Sequence, residues 1–196
     1  MTRRNILETI TYFSPDEIRR FFNAITSKRD KALFLIAYRH GLRASEVGKL
    51  HVADIDWKRL RIKLTRLKGS FSGEHPLEAD EVRFLKSYLK EREAHLILRD
   101  SPLLFPSNRN LPISRRMLDK LIKQYGAKAK LPEEKLHFHT LKHSIATHLL
   151  EVSDDIRFVQ DWLGHSNIQN TVIYAHLVSS SRAEKARKHF AKLPKF

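Results

Sequence analysis

Residues 60–65, Leu60-Arg61-Ile62-Lys63-Leu64-Thr65, alternate apolar and polar side chains one for one, inside a chain whose other long apolar patterns have the helical period. Side chains alternate across a strand but return every three to four residues on a helix, so the two periods cannot share an element. The expected strand runs over residues 60–67. Shorter runs at 54–57 and 74–77, joined by tight polar turns, supply two partners. The chain is therefore expected to be mainly α with a small three-stranded antiparallel sheet.

The helical segments carry their own start and stop signals. Ser14 can cap, Pro15 suits the first helical position and Glu17 completes a capping box, opening a helix whose apolar face is Ile18, Phe21, Phe22 and Ile25. A buried helix over 29–40 should close at Gly41, where a left-handed residue is needed, and a short helix should follow over 44–50. Helical periodicity returns over 79–98, 114–129, 140–152, 155–163 and 167–175, with a basic tail helix over 180–192. Pro102, Pro106, Pro112 and Pro132 fall between these segments. With 196 residues, no internal repeat and no long linker, one compact domain is expected.

Thirty-seven Lys and Arg against 22 Asp and Glu leave a formal charge of +15, which favours a polyanionic partner. Basic side chains that neutralise phosphates release counterions, giving salt-sensitive affinity for nucleic acid. Arg61, Lys63 and Arg66 on the long hairpin are the candidate DNA-binding residues, although the same cationic face also fits the solvated side of a half-buried hairpin. No apolar run approaches the roughly 20 residues of a membrane-spanning helix, and Met1-Thr2-Arg3-Arg4 leads into no signal segment, so a cytoplasmic protein is expected. The chain has no Cys, which excludes disulfides, thiolate catalysis and cysteine zinc sites.

Among the 11 His, His139 and His143 stand four apart, as metal ligation on a helix would need. No Glu lies between them and no carboxylate follows closely, so no metal is expected. A Gly-x-Ser-x-Gly elbow is absent. Gly69-Ser70-Phe71-Ser72-Gly73 precedes a strand and is not followed by Lys-Ser/Thr, so it is no phosphate loop.

Three separated segments point elsewhere: His40-Gly41-Leu42-Arg43-Ala44-Ser45-Glu46, His139-Thr140-Leu141-Lys142-His143, and Leu163-Gly164-His165 with Tyr174 nine residues on. In order and spacing they resemble the signature of the tyrosine recombinase, or phage integrase, family over about residues 14–178. The resemblance implies that family's catalytic-domain fold and a DNA strand-exchange enzyme with Tyr174 as nucleophile. Arg43 matches the first arginine and Glu46 its acidic support. Lys68 matches the strand lysine, His139 the first histidine of the second box, and His165 the third-box histidine. The chemistry suits these residue types, since a phosphodiester attacked by a phenol passes through a crowded anionic state that needs cationic donors. Arg43 and His165 would bind the non-bridging oxygens, Lys68 would protonate the departing 5′-hydroxyl, and His139 would accept the phenol proton. His143 is expected to support the site by hydrogen bonding. Neither a metal nor a nucleotide cofactor is implied. Double-stranded DNA is the implied partner, with four protomers on two duplexes and a monomer alone. Taken singly, each residue has an ordinary alternative: a surface ion pair for Arg43 and Glu46, a solvated turn lysine for Lys68, a core-edge tyrosine for Tyr174.

The chain departs from the pattern twice. Lys142 stands where the family's second arginine is expected, keeping the charge but losing the planar fork. It fits a slow enzyme, a natural pocket suited to lysine, a DNA-binding regulator that keeps the fold, or an altered sequence. The expected layout is an N-terminal extension over 1–13, a catalytic domain over 14–178 and a basic tail over 179–196, without the family's separate N-terminal domain. In this, and in stretches such as Arg66-Leu67-Lys68-Gly69-Ser70-Phe71 and Asn167-Ile168-Gln169-Asn170, the chain resembles the short fimbrial phase-variation invertases, and next the Xer-type recombinases.

Overall fold

The computed structural model describes residues 10–67, 69–178, 187, 190 and 191. In chain order the elements are α1 Pro15–Ala24, α2 Lys28–Arg39, α3 Ala44–Val47, β1 Ile55–Asp56, β2 Arg61–Leu64, β3 Gly73–Pro76, α4 Ala79–Glu93, α5 Arg115–Lys128, α6 His139–Ser153, α7 Ile156–Trp162 and α8 Gln169–Ala175. The sheet is antiparallel in the order β1-β2-β3, with Ile62 of β2 facing Ile55 on one side and His75 on the other. A mainly helical chain with one small sheet is what the two periods require. The capping box at Ser14 is formed, with Ser14 Oγ accepting from Glu17 N and Glu17 Oε2 accepting from Ser14 N at 2.7 Å.

Two expected elements are shorter than their patterns. The ladder of β2 stops at Leu64 because the next residues bond elsewhere: Arg66 N–H donates to Ser72 Oγ and Leu67 N–H to Glu46 Oε1. Helix α4 stops at Glu93, five residues before the end of its apolar pattern, because Arg92 folds back into the following loop. Its buried guanidinium donates to the carbonyls of Leu98, Ser101, Leu103 and Leu104, and these bonds replace another helical turn. The expected tail helix over 180–192 lies outside the described residues, except for the exposed Arg187, Phe190 and Ala191.

A large core joins α1, α2, α4, α5 and the sheet around Phe13, Phe21, Phe34 and Phe138, with Phe21 and Phe34 edge to face at 5.2 Å. A smaller one, Ile145, Ala146, Leu150, Val159, Leu163 and Tyr174, joins α6 to α7 and α8. Helix α6 enters both, with Leu141 in the first and Ile145 in the second, so the side chains at its start stand where the two cores meet. No helix among the described residues is long and apolar enough to cross a membrane.

Candidate active site

A cleft of about 590 Å³ opens at this meeting point, lined among others by Arg43, His139, Lys142, His143, His165 and Tyr174. The three sequence segments thus converge. Two glycines allow it. Gly41 has φ +58°, and a Cβ there would stand 2.5 Å from Leu163 Cδ2. Gly164 has φ +66°, and a Cβ there would meet the Phe71 carbonyl. Both the turn carrying Arg43 and the turn carrying His165 therefore need a residue without a side chain. Lys68 lies outside the described residues; of the residues that follow it, Ser70 bridges to His165, Phe71 N–H donates to Gly164 O at 2.9 Å, and Ser166 Oγ donates to Gly69 O at 2.6 Å.

Arg43 stands just ahead of α3, half-exposed at the mouth. Its Nη1 donates to Glu46 Oε1 at 2.9 Å and to Ser70 Oγ at 3.2 Å, while its backbone N–H donates to Glu46 Oε2 at 2.8 Å. Glu46 is buried and also accepts from Arg66 Nη1 at 3.3 Å. Burial pushes its carboxyl up, but the Arg43 backbone bond and the charges of Arg66 and Lys142 outweigh that and hold it below its ordinary value. Folding lowers this pKa, so Glu46 contributes stability above the ordinary carboxylate range and loses it as pH falls through the lowered value. Glu46→Gln would leave Arg66 buried without its countercharge. We expect a loss of about 3 kcal/mol, the lower end for breaking a buried ion pair from one side. Urea unfolding at pH 7 checks this, and an unchanged midpoint would refute it.

The structure corrects one expectation here. Arg66 is not on the exposed cationic face of the hairpin: it is buried, with its guanidinium directed inward onto Glu46 and the carbonyls of His40, Gly41 and Trp162. A signal existed, because Arg66 shares the parity of Ile62 and Leu64, the buried positions of the same run. Of the other two hairpin cations, Lys63 is exposed, whereas Arg61 is taken up by Glu74, to whose carboxylate it donates at 3.2 Å.

Deeper in, His165 Nδ1 lies 3.0 Å from Thr171 Oγ1. Burial, then the charges of Lys142, Arg43 and Arg66, push its imidazole down to about 3, so the ring is neutral. A Thr171 hydroxyl donating to Nδ1 leaves the ring proton on Nε2. Lys142, in the first turn of α6, is buried, and its Nζ donates to Leu163 O at 3.3 Å. Burial, then Arg43 and Arg66, push the ammonium down to about 7 against the pull of Glu46.

Tyr174 of α8 is buried, with its hydroxyl 2.9 Å from His143 Nδ1. Burial raises the phenol above its ordinary value. Burial, then His139 and Lys142, push His143 down to about 4. Near neutral pH both partners are uncharged, which suits the phenol O–H donating to a bare Nδ1. Sequence reasoning expected His139 as the phenol's partner. The structure puts His143 there instead, one helical turn on, with the His139 ring edge-on to it at 5.4 Å and more exposed. Thr171 and Ser70 were not foreseen at all, since a lone Thr or Ser carries no pattern. Among the described residues no cluster of His, Asp and Glu could hold a metal ion.

Known proteins resemble this chain over most of its length. The type 1 fimbriae regulatory protein FimE of Escherichia coli K12 is 36% identical over 167 residues, covering 83% of this chain and 84% of that one. FimB of the same strain is 40% identical over 146 residues, covering 74% and 72%. Tyrosine recombinase XerA of Thermococcus onnurineus is 35% identical over 180 residues, 88% of this chain and 61% of that one. Among solved structures, XerA recombinase superposes with a TM-score of 0.75 at 27% identity, over 95% of this chain and 64% of that one. XerH recombinase, in a post-cleavage complex with its palindromic difH substrate, gives 0.77 at 26%, over 94% and 54%. The profile described as "Phage integrase family" matches residues 11–180 and so takes in every cleft residue named above, and the chain belongs to that family, the tyrosine recombinases.

Proposed function

We propose that this chain cleaves and rejoins DNA at specific sites through a covalent 3′-phosphotyrosyl bond to Tyr174. The observation that carries the reading is the Tyr174 hydroxyl, bonded to a neutral His143 in the cleft that also collects Arg43, His139, Lys142 and His165. In this reading the phenol oxygen attacks phosphorus, the bond to the 5′-oxygen breaks, and Lys68 protonates that departing oxygen to give the 5′-hydroxyl. His143 receives the phenol proton, a task sequence reasoning gave to His139, which now stands behind it. Arg43, Lys142 and the Nε2–H of His165 face the non-bridging oxygens, where charge grows. The phosphotyrosine retains the bond energy, so rejoining needs no nucleotide. Incubation with a nicked suicide duplex and mass mapping of the adduct tests the proposal. A phosphotyrosyl peptide containing Tyr174 supports it, and binding without any adduct would instead favour a DNA-binding regulator, the reading that Lys142 motivates.

Residues 14–178 serve in this proposal as the catalytic domain of a cytoplasmic protein, assembling as four protomers on two duplexes and monomeric alone. Sizing with and without DNA checks the assembly, and a tight dimer in free solution would contradict it. DNA binding should be strongly electrostatic, given the +15 charge. Affinity should fall on the order of 10³-fold between 50 and 200 mM salt if about six phosphates are neutralised. A flat salt response would remove DNA as the partner.

A further inference from the structure

Arg66 is buried beneath the cleft, with a side chain only 1% exposed, and its guanidinium hydrogen bonds run inward. Nη1 donates to Gly41 O at 3.1 Å and Glu46 Oε2 at 3.3 Å, and Nη2 to His40 O at 2.7 Å and Trp162 O at 3.1 Å. Its backbone N–H donates to Ser72 Oγ at 3.0 Å. The carbonyls of His40 and Trp162 stand at the C-terminal ends of α2 and α7, where the partial negative charge of a helix collects. One cation thereby holds two helix ends and a carboxylate. The planar fork of a guanidinium can reach acceptors in several directions at once, which a point-like ammonium cannot do as well.

These acceptors lie next to the residues that face the reacting phosphate. Glu46 shares its two oxygens among Arg66, Arg43 and the backbone N–H of Leu67. Trp162 and Leu163 offer adjacent carbonyls, the first to Arg66 and the second to Lys142, three and two residues ahead of His165. Gly164 leaves room for the arrangement, since a Cβ there would come within 3.3 Å of Arg66 Cγ.

We propose that Arg66 is a positioning residue of the cleavage site: it locks Glu46 against Arg43 and the α7–α8 turn against the α2–α3 turn, so that Arg43 and His165 address one phosphate. This rests on the reading of Tyr174 as nucleophile. Arg66 reaches no phosphate itself and acts only through Glu46 and the two turns.

Arg66→Gln and the milder Arg66→Lys test it. Adduct formation in a single turnover should fall about 10²-fold in the first and about 10-fold in the second, with DNA affinity and salt slope nearly unchanged. The charged or titratable groups facing Glu46 are Arg43 from the α2–α3 turn, Arg66 from the β2–β3 loop, Lys142 from α6 and His165 from the α7–α8 turn. Without the charge of Arg66 the Glu46 carboxyl titrates higher, so in Arg66→Gln the acid limb of the rate profile should move to higher pH. A merely structural anchor would lower the rate equally at all pH values. The Glu46 carboxyl followed by 13C NMR gives a readout independent of cleavage. Parent-like rates in both variants would overturn the proposal, and so would a lost salt increment with weakened binding, the mark of a phosphate contact. Should Arg66→Gln fail to fold, Arg66→Lys decides on the same rates. Should the parent itself form no adduct, the nucleophile reading falls, and the NMR titration still decides: an unmoved Glu46 would overturn the positioning role, and a raised one would support it.

Discussion

Tyr174→Phe is expected to abolish covalent attachment to DNA, by on the order of 10⁴-fold or more, the scale seen when a hydrolase loses its nucleophile. Folding and binding should survive. The ring is part of the small core with Ile145, Leu150, Val159 and Leu163, and phenylalanine keeps all of that packing. Only the hydroxyl is lost, and with it one hydrogen bond to His143, worth about 1 kcal/mol net. DNA affinity rests on cations that the substitution leaves in place. A denaturing gel of the suicide-substrate reaction, run beside a binding titration, separates the outcomes. An adduct at the parent rate would place the nucleophile elsewhere, and Ser45, which also lines the cleft, would then be the next residue to map.

Much of the fold could be read from the chain because local signals agreed with the tertiary contacts. Ser14 and Ser114 cap the helices they precede, and Gly41 takes the left-handed conformation its position required. Where an apolar pattern runs past the end of its element, a polar side chain has taken up backbone groups that the ladder or helix would otherwise use, and periodicity carries no sign of such a bond. The strand continued on paper to residue 67, but Glu46 and Ser72 take up the backbone donors of Leu67 and Arg66. Helix α4 continued on paper to residue 98, but the Arg92 guanidinium gathers the carbonyls of the loop that follows.

The site divides in the same way. Arg43, Lys142, His165 and Tyr174 could be picked out because their spacing resembles a family pattern, and the structure brings them to one cleft. What each side chain touches was less accessible. His139 and His143 lie on one face of α6, and only the approach of α8 decides which ring meets the phenol. Arg66 was assigned to DNA on its charge, although its place in the alternation matched the buried face. Charge is a property of the residue type, whereas burial is a property of position, and for Arg66 position prevailed because a carboxylate and three carbonyls were there to receive it.

Lys142→Arg is expected to speed adduct formation about 10²-fold or more near and above neutral pH, while leaving DNA affinity almost unaltered, because a donor to a developing oxyanion is worth about 10²- to 10³-fold. Lys142 has two disadvantages as a phosphate ligand. It offers a single point of donation where a guanidinium offers a fork, and part of that is spent on Leu163 O. Its ammonium is also pushed down to about 7, first by burial and then by Arg43 and Arg66, so near and above neutral pH the free protein loses this charge. With subsaturating DNA, where the rate reports the free protein, cleavage by the parent should therefore decline as pH rises through about 7. Arginine stays charged throughout, so the variant should lack that decline, and its advantage should widen with pH. Single-turnover cleavage of both forms from pH 6 to 9 tests the two claims together. A slower arginine variant, or one that keeps the alkaline decline, would mean that the cleft is fitted to lysine and that the charge lost near neutral pH belongs to another group.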